Sequence, residues 1–221
     1  MDIYDFIKNT IPTLQNFTIV ECGGHRGSDT KKLAELFANS QIHTIEANPI
    51  LYNIYLLPLK EAYANIHLYN IGLADKKDKL PFYLDCNYEG DSGASSLLEA
   101  TESYLKDYIK DEKQILVDCI TVQDFMTINN LEKIDFLWLD IEGFEYFVLD
   151  SAKSVLPQIK YIYTEVNFVK FRNNSKLYDD ILNLMTQNGF TQIAKWEQGS
   201  EWGTWQGNVL FCNNNLMFSN K

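Results

Sequence analysis

Short apolar runs that end in polar turn residues alternate with stretches of helical periodicity along this chain. Ile3, Phe6, Ile7 and Ile11 recur at helix spacing ahead of Pro12, which predicts an N-terminal helix within residues 1–16. Phe17–Cys22 predicts a first strand, Thr30–Asn39 an amphipathic helix carrying Leu33, Leu36 and Phe37, and Ile42–Glu46 a second strand. Ile50–Tyr63 is helical in pattern except where Pro58 interrupts it, and Ile66–Ile71 reads as a third strand. Strand, helix, strand, helix, strand is the pattern of a parallel, right-handed β-α-β-α-β half.

Leu80–Leu84, alternating apolar and aromatic residues, and Ile115–Ile120 predict an extra strand pair. Between them lie the Gly- and Ser-rich Tyr88–Ser96 and the polar, helix-like Glu99–Lys113. Residues 76–120 thus form an insertion, expected to serve as a substrate lid. Thr121–Asn130 predicts a helix with Thr121 as N-cap and Asp124 supplying a box-like acid. The apolar run Ile134–Ile141 follows, then a helix over Glu145–Leu156, a strand over Ile159–Val166, and a helix over Tyr178–Asn188 closed by Gly189. Phe190–Trp196 and Gly207–Cys212 predict a closing hairpin-like pair, joined by the Gly- and Trp-rich Glu197–Gln206. No internal repeat or linker interrupts residues 1–221, so a single domain is expected.

Composition narrows the classes. A chain of 221 residues with 46% apolar and 14% aromatic residues has a core that needs no staples. Cys22, Cys86, Cys119 and Cys212 are scattered, with no C-x-x-C pair, which argues against a zinc site or a disulfide framework. A net charge of −11 disfavours a nucleic-acid partner. No run reaches the ~18 apolar residues of a membrane span. Met1–Asp5 lacks the basic start of a secretory signal, so a cytoplasmic location is expected.

The candidate chemistry sits at strand ends. Ile134–Ile141 is a buried-strand pattern that runs straight into Asp140, Glu142 and Glu145, and the next strand ends at Glu165. In an open parallel sheet, ligands occupy the crevice at that carboxyl edge. The first strand runs into Glu21-x-Gly23-Gly24-His25-Arg26-Gly27 and then a helix, which lets backbone pass close to a ligand. The spacing is not G-x-G-x-x-G. It resembles the S-adenosylmethionine loop of class I methyltransferases, where an acid in place of a pyrophosphate cradle suits a ligand carrying an ammonium and a sulfonium. Glu46, followed by Ala47, ends the second strand, where an acid can accept both ribose hydroxyls. A nicotinamide-type Rossmann enzyme would use the same acid. The glycine spacing and the C-terminal hairpin pattern speak against it.

Val20–Gly27, Thr44–Pro49, Asn70–Asp75, Ser92–Leu98, Thr121–Phe125, Ile134–Gly143 and Gly207–Phe211 together make the chain similar to the FkbM-type family of S-adenosylmethionine-dependent O-methyltransferases. Asp140-Ile-Glu-Gly-Phe-Glu145 is the most specific of these pieces. The resemblance implies a Rossmann-like α/β class I methyltransferase fold. It would have a mostly parallel seven-stranded sheet with an antiparallel last strand, helices on both faces and the insertion before the fourth strand. It also implies methylation of a hydroxyl, in many relatives on a sugar or natural product, so the expected partner is a small-molecule or glycan acceptor. The oligomeric state stays open. Trp138 stands where the family usually has Lys, Gln123 where Asp is common, and His25 where Asn is frequent. A module that holds the cofactor without transferring methyl is the second hypothesis these departures raise.

Expected cofactor-binding residues are Glu21, Gly23, Gly24, His25, Gly27, Glu46, Ala47, Asn70, Ser95, Ser96 and Asp140. Asp140 is the first candidate base, with Glu142 second and Glu165 sharing the site. Clustered carboxylates either raise one pKa, as a base needs, or hold a divalent cation. His43 and His67, inside strands, are expected in the core or on a sheet face, and Trp202 and Trp205 are candidates for stacking on a sugar ring.

Overall fold

Seven strands form one sheet in the computed structural model, which describes residues 2–11, 16–87, 93–200 and 203–216. They are β1 (Thr18–Cys22), β2 (Gln41–Ile45), β3 (Ile66–Tyr69), β7 (Ile134–Leu139), β8 (Ile159–Asn167), β9 (Phe190–Ser200) and β10 (Gly203–Asn213). Their order is β3-β2-β1-β7-β8-β10-β9. The first five pair in parallel, and β10 runs antiparallel to both β8 and β9. The order turns back on itself between β1 and β7, which places the binding crevice at the carboxyl ends of those strands.

Strand alternation divides the core in two. Ile19, Phe136, Trp138, Tyr163 and Leu210 meet helices α1 (Ile3–Thr10) and α2 (Ser28–Leu36) through Ile3, Ile7, Leu33 and Ala34. Val20, Leu137, Leu139, Ile162 and Val209 face the other way, against α6 (Val122–Ile128), α7 (Glu145–Ser151) and α8 (Tyr178–Gln187). β7 is buried along its whole length, as its unbroken apolar pattern requires. Trp138 belongs to the α1 side, its ring 4.1 Å from Tyr163 and stacked at 6.0 Å on Tyr4. His43 and His67 pair across β2 and β3 and stack at 4.9 Å. Burial, then His67, pushes His43 down to about 4, so it stays neutral. All four cysteines are free thiols.

The insertion builds a second sheet. β4 (Gly72–Leu73) pairs in parallel with β6 (Glu112–Ile120), which pairs antiparallel with β5 (Asp78–Asp85). The predicted strand pair is therefore present and longer than its apolar cores. The helix expected over Glu99–Lys113 is much shorter. It comprises α5 (Glu102–Tyr104) and a π turn over Leu105–Ile109, ends where Lys110 takes φ +68°, and gives Glu112 to β6. Ile50–Tyr63 likewise resolves into α3 (Pro49–Leu51), a π turn over Tyr52–Leu56 closed by Leu57 N–H donating to Tyr52 O, and α4 (Leu59–Ala62). Pro58 lacks the N–H that a continuous helix would use. The Glu197–Gln206 connection is mostly strand, because β9 and β10 stay paired out to Ser200 and Gly203. Pro12, Tyr88–Ser92 and Trp202 lie outside the described residues. Among the described residues, no helix is long and apolar enough to cross a membrane.

Helix α6 leads into β7 with the predicted capping box. Asp124 N–H donates to Thr121 Oγ1 at 3.0 Å, and Thr121 N–H donates to Asp124 Oδ2 at 3.2 Å. Thr121→Ala is expected to lower unfolding free energy by about 1 kcal/mol, measured by urea denaturation, with an unchanged m-value.

Candidate active site

Three strand ends meet at Gly23. Asp140 N–H donates to Cys22 O at 3.0 Å, tying the end of β7 to that of β1. Gly23 and Gly24 N–H both donate to Ile45 O, at 3.0 and 3.1 Å, tying β1 to β2. Gly23 has φ +95°, and a Cβ there would collide with the Asp140 carbonyl oxygen. Gly27, at φ +75°, opens α2 beneath Leu56 and Leu59.

Glu46 is clamped by backbone. His25 N–H donates to its Oε2 and Asn48 N–H to its Oε1, both at 2.7 Å. Burial still pushes this carboxyl up to about 7, against the lowering effect of those amides. Asn48 Oδ1 in turn caps α3, accepting from Ile50 N–H at 2.9 Å, and Asn70 Nδ2 donates to Glu46 O at 2.7 Å. His25 itself holds a left-handed backbone, φ +47°, and its Nε2 is buried without a protein partner.

The acids after β7 have different duties. Glu145 Oε1 accepts from Ile141 N–H at 2.9 Å and from Gly143 N–H at 3.2 Å, so it holds the loop together. That loop puts Glu142 at φ +57°, a strained setting for a side chain that is not glycine. Asp140, Glu142 and Glu165 each bring one carboxylate oxygen within 4.8 Å of the other two. Burial and neighbouring acids raise all three: Asp29 acts on Asp140, Asp140 on Glu142, and Glu142 on Glu165.

The insertion closes over this edge. Tyr83 and Ser96 exchange backbone bonds at 2.8 and 3.1 Å, and Ser96 Oγ donates to Glu142 O at 2.9 Å. Arg172, between β8 and α8, is 2% exposed. Its guanidinium donates to Glu112 and to the carbonyl oxygens of Ala94 and Leu98, which fastens the insertion to the main sheet.

A cleft of about 800 Å³, counting its open mouth, lies between these pieces. Gly23, His25, Glu46, Ala47, Ser95, Asp140 and Glu142 line it, as the sequence places them. Glu21, Gly24, Gly27, Asn70, Ser96 and Glu165 do not. Glu21 stands farthest from its expected setting: it is 1% exposed, and its Oε2 accepts from Thr30 Oγ1 at 2.7 Å and Thr44 Oγ1 at 2.8 Å. It anchors α2 and β2 beneath the loop. Asn70 and Ser96 likewise spend their side chains on the carbonyl oxygens of Glu46 and Glu142. Asp29, Leu73, Phe82 and Leu97 line the cleft unforeseen. An acid in the first turn after a glycine loop was a signal for Asp29, whereas the three apolar residues had none. Trp138 and Gln123, the departures from the family pattern, lie off the cleft; Gln123 Oε1 accepts from Ser154 Oγ at 2.9 Å.

This sheet order, with its antiparallel last strand, is the Rossmann-like methyltransferase fold. Residues 21–191 match the model of the methyltransferase FkbM domain, and the chain belongs to that family of S-adenosylmethionine-dependent methyltransferases. It is 24% identical over 206 residues to the 2-O-methyltransferase NoeI of Sinorhizobium fredii, covering 90% of this chain and 80% of that protein. The fold is similar to that of methyltransferase FkbM from Methylobacillus flagellatus (TM-score 0.57, 13% identity), matching 92% of this chain and 45% of that one. The chain thus spans under half of that solved protein. The magnesium protoporphyrin IX methyltransferase of Synechocystis, solved with bound S-adenosylmethionine, superposes with TM-score 0.54 at 10% identity, over 96% of this chain and 76% of that one.

Burial drives the Glu21 carboxyl up to about 8. The fold therefore binds its proton more tightly than the unfolded chain does, and stability falls as pH rises between about 4.5 and 8. Relative to wild type, Glu21→Gln is expected to gain stability over that window, by on the order of 2 kcal/mol at the alkaline end, in urea melts at pH 5 and pH 8.5.

Proposed function

We propose that the protein transfers the methyl group of S-adenosylmethionine to a hydroxyl oxygen of a small-molecule or glycan acceptor. The observation that carries this reading is the charge of the cleft: Asp29, Glu46, Asp140 and Glu142 line it, and among the described residues no Lys or Arg does. Such a wall attracts a ligand with a sulfonium and an ammonium and repels a dinucleotide pyrophosphate. Glu46, its carboxylate fixed by two amides, would accept the ribose hydroxyls, Leu73, Phe82 and Leu97 would offer the apolar surface an adenine needs, and His25 Nε2 would be free to meet the amino-acid end. The hydroxyl target is supported by the Sinorhizobium relative, a 2-O-methyltransferase.

Transfer is an in-line displacement. The acceptor oxygen forms a bond to the methyl carbon as the carbon–sulfur bond breaks, its electron pair returning to sulfur and leaving S-adenosylhomocysteine. The hydroxyl proton passes to Asp140, with Glu142 as its neighbour. Asp140 suits that task because burial and Asp29 raise it to about 6, near neutral pH, where a general base works best. Alignment of oxygen, carbon and sulfur supplies much of the remaining acceleration. The three carboxylates are equally the set that would bind a divalent cation.

Two variants test the assignment. Glu46→Ala is expected to weaken donor binding about 10- to 100-fold by calorimetry, as loss of hydrogen bonds to a charged group does. Asp140→Asn is expected to keep donor affinity within a few-fold and lower kcat by about 10²- to 10⁴-fold, read as S-adenosylhomocysteine release with a glycan extract. Near-normal turnover in Asp140→Asn would remove that residue from the mechanism.

A further inference from the structure

Beside the acids that close β7, the end of β8 and the middle of β10 present oxygens without a partner among the described residues. Glu165 Oε2, Asn167 Oδ1 and Asn208 Oδ1 are buried and have no hydrogen-bond partner. Glu165 is 4% and Asn167 6% exposed. Asn208 stands directly opposite Glu165 in the β8–β10 register, and Asn167 lies two residues farther along β8, on the same face. That face continues the one presenting Tyr163 and Leu210, the side on which Asp140 follows Trp138. Unpaired acceptors at this depth are costly unless a donor or a cation arrives.

The charge at this place points the same way. Asp140, Glu142 and Glu165 sit too close together to be ionised at once without a counter-charge. Arg172 is a nearby cation that offsets part of this charge, but its Nη atoms are held by Glu112, Ala94 and Leu98, and burial and the neighbouring acids still leave Glu142 and Glu165 raised. The donors are carboxylates and side-chain carbonyls, with neither His nor Cys among the three clustered acids. That is the set hard cations such as Mg²⁺, Mn²⁺ and Ca²⁺ prefer, whereas zinc and copper favour nitrogen and sulfur.

We propose that Asp140, Glu142 and Glu165 bind one divalent hard cation, and that Asn167 and Asn208 accept hydrogen bonds from its waters or from the acceptor. The consequence for the acceptor rests on the methyl-transfer reading above. Three protein oxygens leave about three positions of an octahedral cation open, enough for two adjacent hydroxyls of one molecule. The acceptor class is then a vicinal diol, chelated through both oxygens. The cation makes the bound hydroxyl more acidic, and its proton leaves to the free oxygen of Asp140.

The test uses the full chain stripped with a chelator and titrated with MnCl₂, by calorimetry and by the electron paramagnetic resonance signal of free Mn²⁺. One saturable site is expected, at least tenfold weaker in Glu165→Gln; Asp140→Asn gives the same reading if Glu165→Gln does not fold. Absence of a saturable site in the wild-type protein, or equal affinity in wild type and the folded variant, overturns the proposal. Donor binding is measured on the same cation-free protein. A missing Mn²⁺ site with intact donor binding sinks the cation alone, and missing donor binding sinks the methyl-transfer reading beneath it.

Discussion

The carboxyl edge of this sheet depends on one backbone contact, the approach of Gly23 to the Asp140 carbonyl. With a side chain at position 23 the two strand ends would part, and the Asp140–Cys22 hydrogen bond would go with them. The same glycine and its neighbour take the last carbonyl of β2. Three strands are thereby held level, so that Glu46 and Asp140 open onto one cleft. The acids owe their common setting to this seam, which fixes main chain before any side chain is placed.

Several buried or half-buried acids gather along this edge, and the origin of their hydrogen bonds separates them. Glu21 takes two threonine hydroxyls, and Glu145 takes two amides of the loop it braces. Glu46 is intermediate: its carboxylate is steered by two amides and still faces the cleft. Asp140, Glu142 and Glu165 form the group raised by burial and by neighbouring acids, Asp29 acting on Asp140, Asp140 on Glu142, and Glu142 and Asp140 on Glu165. A buried acid satisfied by its own protein is architecture, whereas one left in need of a donor points outward to a ligand.

The main sheet was legible because its strands carry period-2 or unbroken apolar patterns and end in Gly, Pro or acid. The capping box at Thr121 was readable residue by residue, since it needs only local spacing. Less visible was anything decided across long separations. The role of Glu21 depends on Thr30 and Thr44 arriving from α2 and β2, and a strand-end acid looks alike in sequence whether it faces a ligand or a hydroxyl. Arg172 carries no motif, yet it joins segments more than 70 positions apart. The polar stretch 99–113 read as helix because propensity is local. Tertiary pairing of Glu112 with β5 and with Arg172 overrode it.

Arg172 also sets a limit on how this chain can drift. Gly143 has φ +100°, and a Cβ there would press on Arg172 Cγ at 3.3 Å and on Ser175 Cβ at 3.6 Å. A methyl group gained at 143 would carry the strain of that φ and also push Arg172 aside by a few tenths of an ångström, straining the bonds that fasten the insertion. The two positions are coupled in what substitutions they tolerate, although 29 residues separate them in the chain.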